Sequence, residues 1–246
     1  MSSLAFYLKA RITISASISN PGTILSANHF TTRLFGYLPS QIERRNCSMI
    51  IPPPMAAAHD FFLRTYLETG SGRVVDSTRI IFGLHKEGHI FPLLMSVHEA
   101  VSHDGSLVFV GTMRALATTE EHIILDDNSR VLACSLQSLG LLDISVESLT
   151  GSSLKGPLIS GWVSEWDMIQ VALECEEGTT LFVSPRCMPG GIASAEAKVV
   201  ADDCAIDADA GVWIHAHLQR VTLPTNEKFA VLHWTRKTKD AYTVRH

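Results

Sequence analysis

The chain has 246 residues, of which 46% are hydrophobic, and a net charge of −5. This length suggests one large domain or two ordinary ones, with enough apolar residues for a core in each. The lysines and arginines are scattered, so no basic stripe indicates a nucleic-acid partner. No apolar run reaches the roughly 18 residues that a membrane-spanning helix needs, and the N-terminal burst Leu4–Leu8 is too short for a signal peptide. We therefore expect a cytoplasmic protein with no membrane segment.

Few residue patterns in the chain indicate a disulfide, a metal site or a catalytic site. The five cysteines are odd in number and are never spaced as Cys-x-x-Cys, so neither a disulfide framework nor a cysteine zinc site is predicted. His215 and His217 share one strand face, but a zinc site there would need further ligands that the sequence does not name. No phosphate loop, nucleophile elbow or paired-carboxylate motif stands out, so we do not expect an enzyme.

The first half of the chain alternates strand patterns with helical ones. Asn28 is placed to cap a short helix. A longer helix begins after Pro52-Pro53-Pro54, because proline is tolerated before or in the first turn, and runs from about Met55 to Glu68 before Gly70. Five segments have strand patterns: Arg11–Ser17, Thr23–Ala27, Thr78–Leu84, His89–Ala100 and Leu107–Met113.

The second half repeats the pattern of the first. Ile24-Leu-Ser-Ala-Asn28 recurs 107 positions later as Val131-Leu-Ala-Cys-Ser135, and Leu34–Tyr37 recurs as Leu141–Ile144. A fixed offset of this size indicates duplicated domains and not a short solenoid repeat. The predicted organisation is an N-terminal segment (1–10), a first domain (11–116), a linker (117–122), a second domain (123–240) and a tail (241–246). The second domain closes with two strand patterns, Val212–Leu218 and Phe229–Trp234.

The motifs of the first half follow one another without a large gap. In order they are Gly22–Asn28, Leu34–Tyr37, Asn46–Pro52, His59-Asp60, Thr69-Gly70, Arg79, His85–Gly88, Phe91-Pro92 and Phe109–Gly111. This string resembles a PAS domain, and the nearest variety is the FixL-type heme-binding PAS; a similar string occurs in PAS domains of the tiny macrocysts family. The resemblance implies an α+β fold with two PAS domains. Each would be a five-stranded antiparallel sheet with short helices over one face.

One histidine of the longer helix is the candidate ligand. The apolar residues of that helix recur at spacings of three and four, which places His59 on its inward face. A neutral imidazole among apolar side chains must satisfy two ring nitrogens. One way is a metal on one nitrogen and a backbone carbonyl on the other.

The FixL resemblance implies heme b and assigns roles around it. The proximal iron ligand falls on His59, and the distal arginine that hydrogen-bonds bound oxygen falls on Arg79. The first domain is thus a candidate heme-based sensor of oxygen or another gas. The other expected contacts are a cation near a heme propionate, two distal apolar residues on one strand and two aromatic residues of the helix: Arg73, Met95, Val97, Phe62 and Tyr66.

Two alternatives remain open for the first domain. In the first, no cofactor binds: His59 packs and bonds to a carbonyl, Arg79 forms a salt bridge at the rim, and the domain serves dimerisation or protein interaction. In the second, Arg45-Asn46-Cys47 resembles the Asn-Cys element of LOV photosensors. The LOV match fails after Cys47, since Ser48–Ile51 depart from that pattern and no amide side chain remains for the flavin edge.

The second domain departs from the cofactor pattern. Aligning Gly178 with Gly70 places Trp166 or Asp167 opposite His59, and neither is a heme ligand. We expect this domain to be a dimerisation or relay module. Because no output domain is visible, the chain is expected to be a fragment of a larger signalling protein or to act through a downstream partner, with homo- or heterodimers formed through the PAS domains.

Overall fold

The first sheet contains five antiparallel strands in the order β2-β1-β5-β4-β3, where β1 is Ala10–Ser15, β2 Ile24–Ala27, β3 Thr78–Leu84, β4 Ile90–Val101 and β5 Leu107–Ala115. They belong to a computed structural model that describes residues 9–70, 75–142, 145, 149, 179–187, 193–199 and 212–236. All five strand predictions for the first half are confirmed, with bounds that differ by at most two residues.

The described residues of the first half also form three α-helices and one 3₁₀ helix: α1 His29–Phe35, α2 Pro39–Ile42, the 3₁₀ helix Cys47–Ile50 and α3 Met55–Thr69. Asn28 caps α1 as predicted, because its Oδ1 accepts a 3.1 Å hydrogen bond from the backbone N–H of Thr31. Helix α3 ends at Gly70, which has φ 64° and donates its N–H to the carbonyl of Tyr66 over 2.8 Å. Glycine suits this left-handed end because it has no Cβ.

These helices lie over one face of the first sheet. Buried side chains of the two layers form one cluster, with Phe35, Ile42, Cys47 and Ile50 from the helices and Ile12, Ile14, Ile24, Leu93, Phe109 and Met113 from the strands. Burial of each large apolar side chain stabilises the fold by about 1.5–3 kcal/mol. The predicted class, α+β with helices on one side of an antiparallel sheet, is confirmed.

The second sheet has six antiparallel strands in the order β7-β6-β11-β10-β8-β9, with β6 Glu121–Asp126, β7 Val131–Cys134, β8 Thr179–Cys187, β9 Ala193–Val199, β10 Val212–Thr222 and β11 Lys228–Arg236. The expected five strands are therefore one too few. The added strand, β9, pairs with β8 at the sheet edge, where Cys187 lies opposite Ala193. Residues 188–211 connect β8 to β10, whereas only residues 85–89 connect β3 to β4, and β9 lies in this longer connection.

The first five strands of the second sheet follow the order of the first sheet. At the 107-residue offset, β2 corresponds to β7 and α1 corresponds to helix α4, Leu136–Leu142, from end to end. The chain divides into unit 1, which ends at Ala117, and unit 2, which begins at Thr118. The predicted counterparts of His59 in the second half, Trp166 and Asp167, lie outside the described residues. Among the helices that are described, none is both long and apolar enough to cross a membrane.

Gly83 of β3 is required by close packing. A Cβ at this position would lie 2.7 Å from Leu93 Cδ2 and 2.8 Å from Phe35 Cε1, and both of those side chains are buried. We expect Gly83→Ala to lower the free energy of unfolding by about 1–3 kcal/mol, because an overpacked core must shift. Urea denaturation followed by circular dichroism measures this change.

The matched control is Gly140→Ala in α4, where an added Cβ meets nothing within 4 Å. Alanine favours a helix over glycine by up to about 1 kcal/mol, so this variant should be neutral or stabilised. Unchanged stability of Gly83→Ala would contradict the packing described for β3.

Candidate cofactor site

Helix α3 meets the 3₁₀ helix through two adjacent side-chain contacts. His59 Nδ1 lies 3.6 Å from Cys47 Sγ, and Asp60 Oδ1 accepts a 2.9 Å hydrogen bond from Asn46 Nδ2. Asn46 Oδ1 in turn accepts a 2.8 Å hydrogen bond from the backbone N–H of Ser48, which caps the 3₁₀ helix. The Asn46-Cys47 pair is therefore joined side by side to the His59-Asp60 pair, and this fixes the position of His59.

The His59 and Cys47 side chains are held in their neutral forms. Burial lowers the pKa of His59, and the charge of Asp60 offsets part of that effect. Burial raises the pKa of Cys47 to about 12, and Asp60 acts in the same direction. At neutral pH the contact thus joins a thiol to a neutral imidazole. With Nδ1 engaged by Cys47, Nε2 is the nitrogen that a metal would take.

Three of the predicted site residues pack against the core cluster between the helices and the first sheet. Met95 and Val97 alternate along β4 and pack against the core cluster, as does Tyr66 of α3. The Tyr66 ring lies edge-on to Phe109 with 5.7 Å between ring centroids. Tyr66 therefore joins α3 to β5.

The remaining predicted residues are placed differently. Arg79 lies directly opposite Met95 in the β3–β4 pairing, so both side chains belong to the same sheet face. Its guanidinium is exposed, and Nε donates a 3.1 Å hydrogen bond to Ser77 Oγ. Phe62 is half-buried outside the core cluster, with its ring edge-on to Phe61 at 6.0 Å. Arg73 lies outside the described residues.

The residue types of this set are ones that can hold a heme. His59 offers a neutral imidazole nitrogen, Met95 and Val97 offer apolar contacts, and Arg79 offers a cation on the same sheet face. The contact between Cys47 and His59 was not predicted from the sequence. The two residues lie 12 positions apart in different helices, and no local pattern signals that distance.

Comparison with known proteins gives distant relatives. No family model matches the chain. A probable serine/threonine-protein kinase of Dictyostelium discoideum is 28% identical over 138 residues, which are 56% of this chain and 9% of that protein. The sensor protein FixL of Bradyrhizobium diazoefficiens is 27% identical over 104 residues, which are 42% of this chain and 20% of that protein. The chain thus spans a minor part of the length of each relative.

Solved structures with similar folds include a PAS domain from Colwellia psychrerythraea, with a TM-score of 0.37 and 20% identity over 46% of this chain and 92% of that one. The PAS domain of the fruit-fly ELK potassium channel has a TM-score of 0.36 and 16% identity over 46% of this chain and 89% of that one.

The Cys47 thiol should be unreactive in the folded protein. Because burial raises its pKa to about 12, very little thiolate is present at pH 8, and thiolate is the form that alkylates. We expect iodoacetamide to label Cys47 at least about tenfold more slowly in the native chain than in urea. Mass spectrometry of the Cys47 peptide measures both rates. Equal rates would show that the thiol is accessible and that the contact with His59 does not persist.

Proposed function

We propose that unit 1 is the sensory module of a PAS-type signalling protein and that it binds heme b through His59. The observation that carries this proposal is the contact of His59 Nδ1 with Cys47, which leaves Nε2 of a neutral imidazole for iron. Metal-ligating histidines generally have the second ring nitrogen held by a neighbouring group, which fixes the tautomer and the ring orientation. Cys47 would be such a neighbour in the tautomer that carries the proton on Nδ1, with Nδ1–H donating to Sγ.

Each residue then has a defined task. His59 would bind the heme iron and Cys47 would orient the imidazole. Met95 and Val97 would exclude water from the inner face of the sheet. Heme, when bound, supplies an iron with an open position that can take a diatomic gas. Arg79, whose Nε donates to Ser77 Oγ, would supply a cation to an anionic group of the heme, because charge-assisted hydrogen bonds are stronger than neutral ones.

The route of the signal runs through neighbouring strands. Arg79 lies on β3 and pairs with Met95 on β4, and β4 pairs along its length with β5. A change at Arg79 would therefore pass directly into the sheet, where packed elements convert small shifts into discrete rearrangements. The correspondence of strand order and of the 107-residue offset supports unit 2 as a second PAS domain, which we assign to dimerisation or signal relay.

A second candidate function is a cofactor-free interaction module. It is favoured by the packing of Leu63, Tyr66 and Leu67 of α3 against the core cluster. In that case the inner face is filled by the protein's own side chains, His59 serves packing alone, and the sheets pair with other PAS domains.

A hemin titration of the full chain separates these functions. We expect a saturable Soret band at about one heme per chain, lost in His59→Ala because the iron loses its protein ligand. The matched control is His103→Ala, which removes an exposed histidine from the turn before β5 and should leave the band unchanged.

Circular dichroism of the variants shows whether they fold. Weak, non-saturating absorbance that is identical in the wild type, His59→Ala and His103→Ala would reject heme and leave the interaction module. A Soret band lost equally in both variants would reject His59 as the specific ligand.

A further inference from the structure

Three histidines form one row across adjacent strands of the second sheet. His122 of β6 lies opposite His233 of β11, and His233 lies opposite His217 of β10. Directly opposed residues of antiparallel strands project from the same face. The rings of His217 and His233 are stacked, with centroids 4.5 Å apart and planes within 2°, whereas His122 stands at 87° to His233. The pairing of the strands thus brings together imidazoles that are far apart in sequence.

Two of these histidines and one carboxylate converge on a common point. Nδ1 of His122 lies 3.1 Å from Nδ1 of His233, and Glu120 Oε2 lies 3.8 Å from the same His233 nitrogen. The ligand atoms of the three residues all lie within 4.8 Å of one another. Two nitrogens about 2.0–2.1 Å from a tetrahedral zinc ion are about 3.3 Å apart, so the observed separation is close to that of a metal site.

We propose that Glu120, His122 and His233 bind a zinc ion in unit 2. Two imidazoles and one carboxylate are ligands that zinc prefers, and three protein ligands leave a fourth position for water or another molecule. His217 is a positioning residue, since its stacked ring limits the rotation of His233.

The site is partly fixed before a metal arrives. The backbone N–H of His122 donates to Ser135 Oγ over 3.0 Å, and the His122 carbonyl accepts from the Ser135 backbone N–H over 2.9 Å. The His122 side chain is buried, whereas the Glu120 side chain is 41% exposed and gives an ion a path from solvent. Held ligands and an entry path are both required of a usable metal site.

The two histidines turn the same ring nitrogen toward each other. Nδ1 of His122 faces Nδ1 of His233, and Nε2 of His233 is buried without a hydrogen-bond partner among the described residues, so an ion at this point would be bound through Nδ1. The alternative is a plain hydrogen bond between two neutral imidazoles, which predicts no metal affinity.

The test is zinc binding by the full chain, measured by competition with a chromophoric chelator, together with the visible absorbance of the cobalt(II)-loaded protein. We expect about one tightly bound zinc ion at this site, with affinity reduced at least about tenfold in both Glu120→Gln and His233→Ala. The control Glu227→Gln changes an exposed carboxylate of the β10–β11 turn and should bind as the wild type does.

A second cluster in unit 1 must be separated from this one. His85, Glu87 and His89 also bring three potential ligand atoms together, so the double variant His85→Ala/His89→Ala is titrated in parallel and should retain the site. Glu120→Gln keeps the test decisive if His233→Ala does not fold, because Glu120 is partly exposed. Absence of saturable binding, or binding that Glu120→Gln leaves unchanged, would overturn the proposal.

Discussion

The contact between α3 and the 3₁₀ helix determines what the inner face of unit 1 can do. Asn46 holds Asp60 by a 2.9 Å hydrogen bond, and Cys47 meets His59 at 3.6 Å. These contacts set the rotation of α3 about its axis, and that rotation directs Leu63, Tyr66 and Leu67 onto the sheet. His59 is consequently desolvated and neutral, yet one ring nitrogen is already occupied. A histidine that only packs and a histidine that binds a metal would therefore both need a fixed imidazole at position 59.

The two units use histidine differently. In unit 1 the candidate ligand lies on a helix, and a second helix orients it. In unit 2 the sheet itself assembles the cluster, because His122, His233 and His217 occupy opposed positions on three neighbouring strands. The shared strand order of the two sheets means that similar frameworks carry polar clusters in different places. A heme in unit 1 and a zinc ion in unit 2 are independent proposals, since no residue contributes to both.

The sequence predicted those features that depend on local chemistry. The strand patterns of the first half, the Asn28 cap and the helix end at Gly70 follow from side-chain alternation and backbone preference, and the structure confirms them. Features that depend on register were missed. The Cys47–His59 contact joins residues 12 positions apart, and the His122–His233 contact joins residues 111 positions apart. His215 and His217 were noticed on one strand face, but only the pairing of β10 with β11 brings His233 beside His217. The extra strand β9 was also missed, because a longer connection does not by itself indicate whether its residues pair.

The central claim is that His59 Nε2 is the iron ligand and that Cys47 orients the ring through Nδ1. The most direct measurement is the resonance Raman spectrum of the ferrous, heme-reconstituted full chain. The account predicts an iron–histidine stretching band that disappears in His59→Gly and returns when free imidazole is added. It also predicts that the band shifts in Cys47→Ala, because the group at Nδ1 tunes the basicity of the ligand. A band that persists in His59→Gly, or the absence of an iron–histidine band in the wild type, would contradict the account.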